Sequence, residues 1–307
     1  MKILVTGSTG LVGKALVSSL AREGHSVCRL IRPGTIENDV QEERCGAGGF
    51  AVSWNPESGE LGGAGFGPDA VVNLAGASIA DGRWTPKRKE LLRSSRIDTT
   101  RALVNALAKM NVRPSVLISA SAIGIYGDRG DEVLSEESAP GTDFLAVIAR
   151  DWEAEAMKAE ALGIRVVLAR FGIILAKHGG ALPQMMLPFK FGAGGKIGSG
   201  RQWTPWVTLE DVVQALRFAM EKKIVRGVIN VVAPNPARNA EFTKVLAGVM
   251  HRPALFTAPA FALRLALGEM ADALLLSSQR VVPKHLESVG FAFRHPNLPA
   301  ALVATCA

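Results

Sequence analysis

The chain has 307 residues, 48% of them hydrophobic and 21% charged, which describes a folded globular protein with a large core and excludes a disordered one. The net charge of +7 comes without a Lys/Arg block of nucleic-acid type, so a small anionic ligand is favoured over nucleic acid. The cysteines (Cys28, Cys45, Cys306) contain no C-x-x-C, and the histidines (His25, His178, His251, His285, His295) show no ligand spacing, which argues against a disulfide framework or a metal site and suits a reducing, cytoplasmic setting.

Lys2 to Thr6 predicts a short buried strand, too brief an apolar run for a signal peptide. A helix follows from Leu11 to Arg22, closed by Gly24-His25, and then a strand from Val27 to Ile31. Further strands are predicted at Ala70 to Leu74, Val116 to Ala120 and Ile164 to Ala169, with helices from Pro86 to Met110 and Phe144 to Leu162 between them. The alternation predicts an α/β fold, a Rossmann-type doubly wound parallel sheet. After Arg170 the pattern loosens through the glycines of 179–200, then returns with a helix from Leu209 to Lys222 and a strand from Val228 to Val232. The apolar stretch from Ala254 to Leu276 is interrupted by Arg264, Glu269 and Asp272, and reads as a packed amphipathic helix, not a membrane span. The expected division is residues 1–175, with about 206–232, as a cofactor-binding domain. About 176–205 and 233–307 then form a smaller, mostly helical substrate lobe.

The first strand runs into Gly7-Ser8-Thr9-Gly10-Leu11-Val12-Gly13. Glycines three apart between a strand and a helix suit a dinucleotide pyrophosphate, which needs bare backbone at Gly10 and close helix packing at Gly13. The triphosphate loop of nucleotide hydrolases is excluded by Ser8 and Ala15, where it needs Gly and Ser or Thr. An NAD site places an acidic residue at the end of the second strand. Here Ile31-Arg32 stands there, and a guanidinium at Arg32 suits a 2′-phosphate, so NADP(H) is the expected cofactor.

The Thr6–Gly13 opening, with Asn73-Leu74-Ala75-Gly76, resembles the short-chain dehydrogenase/reductase superfamily. Ser119-Ala120-Ser121 with Tyr126-Gly127, Arg170-Phe171-Gly172-Ile173 and Trp206 to Asp211 resemble segments of its extended, epimerase-like branch. Closer matches lie at Trp54-Asn55-Pro56, Gly82-Arg83-Trp84, Ser95-Arg96-Ile97, Asp151-Trp152-Glu153, Gly268-Glu269-Met270 and Gln279-Arg280-Val281. These resemble the YfcH-like epimerase family proteins, described also as cell-division inhibitors, across essentially the whole chain. The resemblance implies an NADP-binding nucleotide-sugar-epimerase scaffold. Cofactor contacts are expected from Gly7, Thr9, Gly10, Leu11, Val12, Gly13, Arg32, Leu74, Ala75, Gly76, Arg83, Ser119 and Arg170.

In that superfamily a Y-x-x-x-K pair moves the proton, the two groups one helical turn apart. Counting from Pro140, Phe144 and Ile148 occupy those positions, and neither can move a proton. Tyr126, the only tyrosine, has Gly130 four residues on; it either lines the pocket or packs its ring on the loop. Ser121 is the first candidate for the polarising serine and Ser119 the alternative, since strand alternation puts both on one face. Asp128, Asp131, Glu132, Asp143 and Asp151 read first as a solvated surface and second as replacement acids. Lys87 reads as surface; Arg83 and Arg201 are surface residues or anion contacts.

Two functions compete. One is an NADP(H)-dependent epimerase-like oxidoreductase acting on a small molecule resembling a nucleotide sugar. The other is a non-catalytic NADP(H)-dependent sensor or interaction protein. By analogy with the superfamily, Pro86–Met110 and Phe144–Leu162 would form a homodimer interface.

Overall fold

The computed structural model describes residues 1–31, 49–56, 60–61 and 66–306. Its main sheet contains β1 (Lys2–Thr6), β2 (Ser26–Ile31), β3 (Phe50–Asn55), β4 (Glu60–Leu61), β5 (Ala70–Asn73), β6 (Val116–Ala122), β8 (Arg165–Phe171) and β13 (Gly227–Val231). In space the order is β13-β8-β6-β5-β1-β2-β3-β4. All neighbouring pairs are parallel except β3 with β4, which closes one edge antiparallel. The strand order reverses between β1 and β5, and that crevice is where doubly wound sheets bind ligands.

The two faces follow from side-chain alternation. Ile3 and Val5 of β1 point to the core shared with α1 (Leu11–Arg22) and α5 (Leu209–Glu221). Leu4 joins the opposite core, with Leu103 and Leu107 of α2 (Pro86–Ala108) and Ala156 of α3 (Phe144–Met157). Local capping fixes where these helices start. Thr85 accepts from the Arg88 amide with Pro86 in the first turn of α2, Asp143 accepts from Ala146 at α3, and Thr208 accepts from Asp211 at α5.

The remaining elements form the C-terminal part. β7 (Val133–Leu134) pairs with β16 (Arg280–Val281), and β9 (Ile173–Leu175) with β12 (Trp206–Thr208). Helices α4 (Leu182–Lys190) and α6 (Asn239–Met250), β10 (Gly195–Ile197), β11 (Trp203–Thr204), β14 (Ala237–Arg238), β15 (Phe256–Ala258) and α7 (Ala260–Leu267) complete it, before a helix at Leu298–Cys306. Its own core gathers Leu175, Leu182, Phe189, Trp206, Phe242, Leu246, Leu298 and Leu302. Buried Asp211 ties the Arg294–His295 segment to α5 by accepting from the Arg294 and His295 amides at 2.7 and 3.1 Å.

Two expectations change. The third strand of the sheet, Phe50–Asn55, was not among the predicted strands; only Trp54 of its side chains is buried, so its pattern is weak. The stretch from Ala254 to Leu276 is not one packed amphipathic helix. It breaks at Gly268, whose φ of +63° ends α7, and α7 buries none of its side chains. Among the described residues no helix is long and apolar enough to cross a membrane.

Candidate cofactor and active site

At the end of β1 the chain turns at Gly7, with φ of +65°. A Cβ on Gly7 would lie 2.4 Å from the Leu74 carbonyl oxygen, and one on Gly13 would lie 2.2 Å from the Gly7 oxygen. Both glycines are therefore demanded by packing of the loop on itself and on the segment after β5. Gly10 differs: a Cβ there would meet only the Gly7 oxygen, at 3.3 Å, and the residue is exposed. Gly10 begins α1 without a side-chain cap and with no acidic residue in the first turn, so the helix offers its amides and positive end outward. Beside it, the Ser8 hydroxyl is buried and has no hydrogen-bond partner. A bare cradle with an orphaned hydroxyl fits a cofactor pyrophosphate. Thr9, Leu11 and Val12 are accessible at its rim, and Gly179 and Gly180 lie against the Leu11 side chain. Leu74, Ala75 and Gly76 follow β5 beside this loop. Arg32 lies outside the described residues.

Behind the cradle a buried polar node joins three strands and two helices. Thr6 donates to Asn73 Oδ1 at 2.7 Å, and Asn73 donates to Thr100 and Ser119 at 2.9 and 3.2 Å. The Trp152 indole donates to Thr100 at 2.9 Å. Ser119 is fully buried within this node, so its hydroxyl is a scaffold group and does not face a cofactor.

A second buried network closes the far end. Ser121 donates to Glu153 Oε1 at 2.6 Å; Arg170 donates to both Glu153 oxygens, at 2.7 and 2.8 Å, and to the Tyr126 hydroxyl at 2.9 Å. Tyr126 in turn donates to Asn230 Oδ1 at 2.7 Å. Burial alone would lower the Arg170 pKa, but the hydrogen bonds and charge of Glu153 raise it. Burial raises the Tyr126 pKa, against the pull of Arg170. These contacts bear on two expectations. Tyr126 is 0% exposed, so of the two sequence readings the packed ring is the one present, not a pocket wall. Arg170, expected as a cofactor contact, is buried and directs three of its N–H groups to Glu153 and Tyr126.

At the mouth, Phe144 packs edge-on against Trp84, ring centroids 5.4 Å apart, and Ile148 is buried. The nearby acids all have partners. Asp143 caps α3, Asp128 accepts from the Gly130 and Ser278 amides, Asp131 from Trp203 and Arg238, Glu132 from Arg129, and Asp151 from Arg93. Arg83, in the loop between β5 and α2, donates to the Leu265 carbonyl of α7 at 3.3 Å. No cluster of three or more metal-binding side chains exists among the described residues.

The architecture has clear relatives. The model of the NAD dependent epimerase/dehydratase family matches residues 3–232, and that of a domain of unknown function, DUF1731, matches 258–305. The chain belongs to the NAD dependent epimerase/dehydratase family. Epimerase family protein Mb2239 of Mycobacterium bovis is 42% identical over 306 residues, covering 98% of this chain and 96% of the relative. The solved structure of human epimerase family protein SDR39U1 (isoform 2) with NADPH superposes with a TM-score of 0.88 at 31% identity, covering 100% of this chain and 99% of that one. A nucleoside-diphosphate sugar epimerase from Corynebacterium glutamicum gives a TM-score of 0.78 at 34% identity, covering 100% of this chain and 58% of that one.

Within this epimerase-family frame, sequence reasoning missed Glu153 and Asn73 as the centres of the two networks. Both were in view only as parts of motifs. Their burial would have been the signal: Asn73 ends a strand whose residues are all buried, and Glu153 lies among the buried positions of α3.

Proposed function

We propose that the protein is an NADP(H)-binding, epimerase-like oxidoreductase whose substrate resembles a nucleotide sugar. The observation that carries this reading is the open cradle: Gly10 bare and outward, α1 uncapped, and the Ser8 hydroxyl buried without a partner. The NADPH held by the human relative and the nucleoside-diphosphate sugar named for the Corynebacterium protein support the choice of ligands. Bound there, the cofactor would accept or supply a hydride.

The chain's own residues then have defined tasks. Gly10 and the first amides of α1 hold the pyrophosphate, Ser8 donates to it, and Arg32 selects the 2′-phosphate. Ser121 receives the substrate hydroxyl on its oxygen. Its own proton is already directed at Glu153, so it accepts rather than polarises, and Glu153 is the buried outlet for charge. Phe144 and Ile148 contribute shape alone. The non-catalytic reading draws on that same feature, because both Glu153 oxygens are already engaged by Arg170.

Incubation with 4-deuterated NADPH and a panel of sugar nucleotides separates the two. Deuterium in a product, lost in Ser121→Ala, supports the oxidoreductase. Tight NADPH binding with no transfer from either face supports the sensor. NADPH binding no tighter than NADH, and unchanged by Arg32→Ala, would refute the cofactor assignment.

A further inference from the structure

The C-terminal part leaves large apolar side chains in solvent. Among the described residues the four most exposed are Phe191, Leu255, Phe261 and Leu265, at 80, 82, 73 and 79%. All four belong to this part, and Phe256 stands beside them, also exposed. The elements that carry them are joined. β10 and β15 pair with Lys196 opposite Thr257. The Phe256 amide donates to the Gly194 carbonyl at 3.2 Å, which sets the 191–194 segment after α4 beside β15. β15 runs through Pro259 into α7, and the Gly198 amide after β10 donates to the Ala258 carbonyl at 2.9 Å. Phe261 and Leu265 are four residues apart, hence on one face of α7, and α7 buries none of its side chains.

The charge around these side chains is one-sided. Residues 182–201 and 240–267 carry six cations, Lys190, Lys196, Arg201, Lys244, Arg252 and Arg264, against the single acid Glu241. The next acids along the chain, Glu269 and Asp272, are engaged by Lys89 and Arg264. Lys190, Lys196, Lys244 and Arg252 are exposed and have no acidic partner among the described residues. Two of these cations meet the apolar group directly. Lys196 and Lys244 line a cleft of about 440 Å³ together with Leu255 and Phe256.

We propose that this face docks the protein on an anionic phospholipid bilayer. Exposed apolar patches of this kind mark interaction surfaces. A lipid-interface site combines apolar side chains that enter the acyl boundary with Lys and Arg at the level of the phosphates. Phe191, Leu255, Phe261 and Leu265 supply the first, and Lys190, Lys196, Lys244 and Arg252 the second. Charge argues against a second copy as the occupant, because a two-fold contact would set this cationic face against itself. The apolar side chains project from separate elements and do not line one apolar groove, which suits a fluid lipid surface better than a peptide helix or strand. The contact is peripheral, since no helix among the described residues is long and apolar enough to cross a membrane. None of the cradle's residues takes part, so the inference stands or falls apart from the reading above.

The test is co-sedimentation of the full chain with vesicles of mixed phosphatidylglycerol and phosphatidylcholine, and with vesicles of phosphatidylcholine alone. Binding to the first, weakened by added salt, and none to the second are expected. The variants Leu255→Ser/Phe261→Ser/Leu265→Ser and Lys190→Gln/Lys196→Gln/Lys244→Gln should each lose about tenfold or more of that binding. These positions are exposed, so both variants should melt where the unaltered protein does. Should one of them fail to fold, the other still decides. Val112→Ser, exposed beyond the C-terminal end of α2, should bind as the unaltered protein does. No binding to the anionic vesicles, equal binding to phosphatidylcholine alone, or an equal loss in Val112→Ser would overturn the proposal. A dimer in sedimentation velocity that the apolar variant breaks, with no vesicle binding, would give the face to a second copy and overturn it. Binding of poly-glutamate in place of vesicles would give the face to an acidic protein and overturn it as well.

Discussion

The two ends of the cofactor edge are built on opposite plans. Around Gly7–Gly13, polar groups are left open: the first amides of α1 have no side-chain cap and the Ser8 hydroxyl has no partner. Around Ser121, Glu153, Arg170, Tyr126 and Asn230, polar groups close on one another and are at least nine-tenths buried. Buried polar groups without partners cost stability, so those that persist mark where a ligand completes the structure. Groups that are mutually satisfied hold the scaffold. Substitutions at the closed end should therefore read out in stability, and at Ser121, the proposed substrate contact, in turnover as well, whereas substitutions at the open end read out in cofactor affinity.

The largest effect is expected at the closed end. Glu153→Ala leaves Arg170 buried without its carboxylate and should cost about 3–5 kcal/mol in urea unfolding. A loss below about 1 kcal/mol would show that the pair is solvated and the network open. Gly13→Ala tests the boundary between the two plans. Its Cβ would meet the Gly7 oxygen at 2.2 Å, so the loop must move, and about 1–3 kcal/mol of stability should go together with NADPH binding.

Tyr126→Phe is smaller. It removes the hydroxyl between Arg170 and Asn230 and should cost about 1–2 kcal/mol with NADPH affinity unchanged. Because Tyr126 is the only tyrosine, tyrosinate absorbance reports it alone. Its folded pKa is raised by burial above the unfolded value of about 10. Its contribution is therefore complete below the unfolded pKa and is lost as pH rises through the folded one. Titration at or below the usual phenol range would break the assignment. The smallest effect is Ser8→Ala. Removing an orphaned hydroxyl should leave stability level or slightly higher while NADPH affinity falls a few-fold, by about 1 kcal/mol.

How much of this was legible in the sequence depends on range. The glycine loop and α1 are local, and Leu11–Arg22 was predicted to the residue. The strand–helix alternation carried the parallel sheet because apolar runs buried on both faces are distinctive. Phe50–Asn55 escaped because a strand with one buried side chain has little pattern. At the site, the glycine spacing was readable, but the fate of each polar side chain was not. Ser121 and Glu153 are 32 residues apart, Tyr126 and Asn230 104 apart, and only the folded register brings them together. A lone tyrosine draws attention as chemistry; its burial shows it to be a hydrogen-bonded strut.

The most direct measurement is NADPH affinity, by cofactor fluorescence, in Gly10→Ala and Tyr126→Phe side by side. A Cβ at Gly10 meets only one backbone atom, at 3.3 Å, so the first variant should keep its thermal stability and lose NADPH affinity by about tenfold or more. The second should lose stability and keep its affinity. The reverse result, with Gly10→Ala binding NADPH normally and Tyr126→Phe failing to bind while still folded, would contradict the account.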